Sequence, residues 1–141
     1  MKTNLVLALC LLSLAGCNRI NSKKVPAPVK ERFAALYPAV KDPEWEKEKE
    51  NYEAGFKDNS GKEMSVLIDA SGRLVETETG IEVAELPKNV TDYIAAKYNG
   101  ASIKEAARIE NAEGVMTYEA EVKGKDLIFD ASGNFLKETE D

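Results

Sequence analysis

Apolar residues recur along this chain in two rhythms, and the whole succession of rhythms occurs twice. Val29, Phe33, Leu36 and Tyr37 follow 3.6-residue spacing behind Val25-Pro26-Ala27-Pro28, which predicts a helix that Pro38 ends. The pattern returns at an offset of 61 residues. Pro87 stands for Pro26, Val90 for Val29, Ile94 for Phe33, Ala95-Ala96 for Ala34-Ala35 and Tyr98 for Tyr37, with Asn99-Gly100 as the stop. Behind each helix the period falls to two, the signature of strands with one buried face. Residues 44–49 and 52–57 are the first such strands, and residues 103–110 and 115–123 are their counterparts.

Each unit closes on the same tetrapeptide, Asp69-Ala70-Ser71-Gly72 and Asp130-Ala131-Ser132-Gly133, again 61 residues apart. Val66-Leu67-Ile68 and Leu127-Ile128-Phe129 precede it; Arg73-Leu74-Val75 and Asn134-Phe135-Leu136 follow. Apolar runs around Asp-x-x-Gly read as a β-hairpin, the Asp bonding the backbone ahead of it and the Gly taking φ > 0. The expected register sets Ile68 opposite Leu74 and Phe129 opposite Phe135, and one step out Leu67 opposite Val75 and Ile128 opposite Leu136. Val66, Ile68, Leu74, Leu127, Phe129 and Phe135 are then the helix-facing set, together with alternating Tyr52, Ala54, Phe56, Met116, Tyr118, Ala120 and Val122. Leu67, Val75, Ile128 and Leu136 fall on the opposite face, with Glu53, Lys57, Asp69, Arg73, Glu119, Glu121 and Asn134 as neighbours.

The fold class that follows is α+β: two tandem helix-plus-four-antiparallel-strand repeats, residues 25–80 and 85–141, forming one sheet with both helices on one face. A unit of about 55 residues is marginal alone; the pair is expected to fold as one domain over 25–141.

The N-terminus belongs to a different class of segment. Lys2, an apolar run from Leu5 to Leu12, and Leu14-Ala15-Gly16-Cys17 describe a secretory signal over residues 1–16, too short to span a bilayer. Leu-Ala-Gly-Cys resembles the lipobox of bacterial lipoproteins, which implies that Cys17 is lipidated and becomes the first mature residue. Residues 17–24 then read as a polar tether, whose seven residues after Cys17 reach about 25 Å at most.

Composition now narrows the chemistry. Cleavage before Cys17 removes only Lys2 among the charged side chains, leaving 18 basic against 25 acidic. That balance argues against nucleic acid and against a polybasic membrane-surface helix. There is no His, Cys10 leaves with the signal, and Cys17 is acylated; His-based catalysis, His or Cys metal sites and disulfides are excluded. Ser65, Ser71, Ser102 and Ser132 lack a His to activate them. A carboxylate pair among 25 acidic residues is guaranteed by number alone, so an acid-based hydrolase has little to recommend it. Asp-Ala-Ser-Gly lacks the alternating ligands and closing Glu of a calcium loop and reads as a turn. Glu44, Glu46, Glu48 and Glu50 alternate with Trp45, Lys47 and Lys49, as in a charge-guarded edge strand that can also attract a cation or a basic partner. Trp45 is expected as a core or edge anchor. No cofactor and no metal are expected.

Val29-x-x-x-Phe33-Ala34-Ala35-Leu36-Tyr37-Pro38 early and Leu67-Ile68-Asp69-Ala70-Ser71-Gly72-x-Leu74 late, behind a lipobox, resemble PepSY-like proteins. More narrowly, they resemble the tandem lipoproteins grouped with the β-lactamase-inhibitor-protein fold. The resemblance covers about Val25 to the end and rests on structural motifs. It implies a non-enzymatic envelope module, with protease or β-lactamase inhibition proposed for relatives; in the inhibitor fold the sheet face away from the helices contacts the enzyme. The inhibitor's cysteines are missing here, and no inhibitory loop residue matches. The expected function is a lipid-anchored binding module taking a protein or peptide on that face, at the outer membrane and facing the periplasm. The alternative is a structural accessory in outer-membrane assembly or envelope maintenance.

Overall fold

The computed structural model describes residues 19–140; the signal segment and Cys17 lie outside them. The first repeat contains α1 (Ala27–Leu36), β1 (Glu44–Glu48), β2 (Asn51–Lys57), β3 (Glu63–Ile68) and β4 (Leu74–Gly80). The second contains α2 (Lys88–Lys97), β5 (Glu105–Asn111), β6 (Met116–Glu121), β7 (Lys125–Asp130) and β8 (Phe135–Glu140). Eight antiparallel strands follow in chain order, four to each repeat, so the α+β class and the helix-plus-four-strand repeat are as the sequence predicts. The chain divides into two compact units between Gly80 and Ile81.

Each helix begins behind a proline, where a missing N–H costs nothing, and Pro28 adds a second in the first turn of α1. α1 stops before Pro38, with the Tyr37 N–H donating to Phe33 O at 2.8 Å. α2 ends through Asn99 and Gly100, both at positive φ, and the Gly100 N–H donates to Ala95 O at 2.9 Å. Val29 and Phe33 seal the first core against Trp45, Ala54, Val66 and Ile68, and the Phe33 ring meets Trp45 and Phe56 edge-on. Val90 and Ile94 seal the second against Ala106, Ala120, Val122, Leu127 and Phe129. There the aromatic bulk has moved one position along the helix: Ile94 replaces Phe33, and Tyr93 stacks on Phe135 with ring centroids 4.8 Å apart. The predicted helix-facing residues pack in the two cores, except Met116, and Trp45 is a core anchor.

One turn design serves four hairpin connections, at 58–61, 69–72, 111–114 and 130–133. In each, a side-chain oxygen of the leading Asp or Asn accepts the backbone N–H groups two and four residues on, and a Gly at positive φ completes the turn. At Gly72 and Gly133 the helix adds a second demand. A Cβ on Gly72 would lie 2.8 Å from the Pro28 carbonyl oxygen, and one on Gly133 would overlap the Asn89 side chain. Asn89 Nδ2 also donates to Ser132 O at 2.7 Å. Pro28 and Asn89 are again 61 residues apart, so each hairpin tip is seated on the first turn of its own helix.

Two expectations are corrected. The closing pairs Ile68–Leu74 and Phe129–Phe135 form, but the next ones do not: Leu67 opposes Glu76 rather than Val75, and Ile128 opposes Lys137 rather than Leu136. One extra residue, Val75 or Leu136, is inserted as a bulge beyond the closing pair, which shifts the partner strand by one. The polar segment before Val25 is not a free tether over its whole length. Arg19 bridges to Glu46 on β1, the Ile20 N–H donates to Trp45 O at 2.9 Å, and Ser22–Lys24 form a 3₁₀ turn capped by Asn21. Apolar Ile20 and Val25, which pack at the first core, override the polar composition between them.

The turn geometry yields two expected outcomes. Gly61→Ala, with open space around the Cβ, should cost about 1–2 kcal/mol from left-handed strain alone. Gly72→Ala should cost a further ~1–3 kcal/mol because the helix backbone must move; urea unfolding midpoints compare the two. The Asp69 carboxyl is held well below its usual range of about 3.8, first by the Ser71 hydroxyl and then by the Arg73 and Ser71 N–H groups and the Arg73 guanidinium. A depressed folded pKa gives stability that is present above the unfolded value and lost as pH falls through the folded one. Asp69→Asn keeps an acceptor without the charge, so it should lower stability at pH 7 and flatten the acid dependence below pH ~4, read by thermal melts from pH 7 to 2.

Candidate functional site

Alternation along the strands carries a second set of side chains to the face of each sheet away from its helix. In the first repeat the cross-strand register lines up Glu46, Glu53, Leu67 and Glu76 in one row. The neighbouring row is Glu44, Gly55, Ser65 and Glu78. In the second repeat the corresponding rows are Ala107, Glu119, Ile128 and Lys137, then Glu105, Glu121, Asp126 and Thr139, with Ile109 and Thr117 opposite each other further along. Leu67 and Ile128 are fully buried yet belong to neither helix-facing core. They are equivalent residues of the two repeats, each at the centre of a mostly acidic surround.

That surround is electrostatically unfavourable. Glu46 stands directly opposite Glu53, Glu105 opposite Glu121, and Glu121 opposite Asp126. Like charges directly opposite across antiparallel strands destabilise a sheet. Cations offset it: Lys104 Nζ lies 3.0 Å from Glu121, and Arg19 pairs with Glu44 and, at 3.9 Å, with Glu46. Glu53 shows the strain most clearly. Burial pushes its carboxyl up to about 7, and Glu46 and Glu48 push in the same direction. Among the described residues no three Asp, Glu, His or Cys side chains converge as metal ligands.

The residues expected on this face separate into two groups. Leu67, Glu53, Ile128, Glu119 and Glu121 are buried on it. Val75 and Leu136 sit at the bulges, Leu136 with 52% of its surface exposed. Arg73 is exposed in its turn and pairs with Asp69 Oδ2 at 3.0 Å. Sequence reasoning missed Ser65, Glu76, Glu78, Ala107, Ile109, Thr117 and Asp126. Ser65 was within reach by stepping two residues back from Leu67; Glu76 and Glu78 needed the bulge.

A helix followed by a four-stranded meander, made twice, defines a tandem α+β repeat protein. The chain belongs to the family described as "Putative beta-lactamase-inhibitor-like, PepSY-like", whose model matches residues 16–76 and again 69–137. Solved structures share the fold. A "putative periplasmic" protein from Bacteroides eggerthii is 19% identical, with a TM-score of 0.72 over 82% of this chain and 88% of that one. A DUF2874 family protein from Bacteroides uniformis is 21% identical, with a TM-score of 0.70 over the same shares. A BLIP-like protein from Bacteroides fragilis is 25% identical, with a TM-score of 0.62 over 82% of this chain and 86% of that one. No curated protein matches the chain.

The raised Glu53 value sets a pH test. A carboxyl whose folded pKa lies above its unfolded value of 4.5 contributes stability that is full below 4.5 and lost as pH rises through about 7. Glu53→Gln should therefore be more stable than the parent at pH 8, by at most ~3 kcal/mol. The two should converge below pH ~4.5, as measured by urea unfolding at both ends of the range.

Proposed function

We propose that this chain is a non-enzymatic cell-envelope module, anchored through acylated Cys17 to the outer membrane and facing the periplasm, which binds a protein or peptide on the sheet faces away from its helices. The observation that carries the reading is the set of like-charged pairs across neighbouring strands on this face, Glu46 with Glu53 in the first repeat and Glu121 with Glu105 and Asp126 in the second, beside the equivalent residues Leu67 and Ile128. A basic partner relieves the repulsion between these carboxylates. The partner chemistry is thus a segment that presents Lys or Arg. The BLIP-like description of the Bacteroides fragilis relative supports a hydrolase as the protein that presents it. The periplasmic description of the Bacteroides eggerthii structure agrees with the envelope placement.

Charge reversal separates binding from folding. Glu46→Lys and Glu105→Lys each replace one member of a like-charged pair, and their unfolding midpoint is measured beside capture to show that the fold is intact. Together they should weaken capture of envelope partners by the soluble form starting at Asn18 at least tenfold, which is about 1.4 kcal/mol. Val115→Lys, at an exposed turn residue, should leave capture unchanged. Equal capture by the charge-reversed and parent proteins would sink the sheet-face reading. A captured hydrolase whose turnover falls on titration with the parent protein identifies the module as an inhibitor; captured assembly-machine subunits identify it as an accessory.

A further inference from the structure

We infer that the anchor is a short leash, which holds the β1 edge and the Lys49–Glu50 turn of the first repeat at the lipid headgroups. The inference rests on acylation of Cys17. Arg19 is already part of the fold: it bridges to Glu46, ion-pairs with Glu44, and is followed by Ile20, whose N–H is bonded to Trp45 O. Ile20 packs at the first core, Asn21 caps the Ser22–Lys24 turn, and Val25 behind it is buried. Peeling this segment away would expose apolar surface and break the backbone bond to β1, so it stays down when the anchor pulls. Only two residue steps separate Cys17 from Arg19, a reach of about 7 Å even when fully extended.

The direction of the leash follows from the pairing. Arg19 and Ile20 run antiparallel to β1, with Ile20 toward Trp45 and Glu44, so the N-terminal side of Arg19 faces Lys47 and the Lys49–Glu50 turn. The opposite end of the repeat, at the Asp58–Gly61 turn, lies beyond the seven residues of β2, a span of about 20 Å at roughly 3.3 Å per residue. One end of the meander is therefore held at the membrane and the other stands away from it.

The test uses the acylated protein in phosphatidylethanolamine–phosphatidylglycerol vesicles. Glu50→Cys and Asn59→Cys are each labelled with a fluorophore, since the mature chain has no other free thiol, and quenched by a headgroup-attached nitroxide. The Glu50 probe should be quenched at least threefold more than the Asn59 probe. A Gly/Ser insertion of about ten residues between Asn18 and Arg19, a flexible coil, should bring the two to the same value. An acylated chain in which the probes are already equal without the insertion overturns the leash alone. A mature N-terminal peptide that carries no acyl chain in mass spectrometry overturns the leash and the anchor together.

Discussion

Everything in each repeat hangs on the contact between the tip of a hairpin and the first turn of a helix. The tip can come so close because the residue at its fourth position has no side chain, and Gly is needed there anyway for positive φ. With the helix start pinned by Pro28 or Asn89, the first apolar residues of the helix, Val29 and Val90, fall on the inward side of the hairpin. The same approach leaves no room for a larger tip, so one residue answers a backbone demand and a packing demand at once. Repetition of this arrangement at a constant offset explains why the two units share a plan while their core side chains differ, Phe33 in one and Ile94 with Tyr93 in the other.

The two faces of each sheet solve opposite problems. Against the helix, aromatic and branched side chains interlock with little polarity, and burial supplies the stability. On the other face, carboxylates oppose carboxylates beside buried Leu67 in the first repeat and buried Ala107, Ile109 and Ile128 in the second, and Glu53 is held near neutral titration. The turn aspartates stand differently: their charges are absorbed by backbone N–H groups of their own loops.

Much of this was legible in the chain. The helices, their proline starts, the antiparallel strands, the helix-facing set and the repeat itself follow from apolar spacing and turn residues, which act over a few neighbours and need no knowledge of the rest. The face carrying Leu67 and Ile128 was legible for the same reason, through the hairpin register. What that register could not supply was the bulge at Val75 and Leu136. Nothing in Leu-Val-Glu or Phe-Leu-Lys marks an extra residue, and only the fit of the strand against its neighbours selects it.

The same division holds at the N-terminus. Asn-Ser-Lys-Lys reads as a linker, and its folding onto β1 depends on Ile20 and Val25 finding a core built by residues far along the chain. Local chemistry thus determined the elements, the turns and the doubling of the unit. The tertiary structure decided which residue each strand position meets, and with it which carboxylates gather around Leu67 and Ile128 and how near to Cys17 the folded part begins. Those are questions of contact between distant segments, and spacing along a chain carries no record of them.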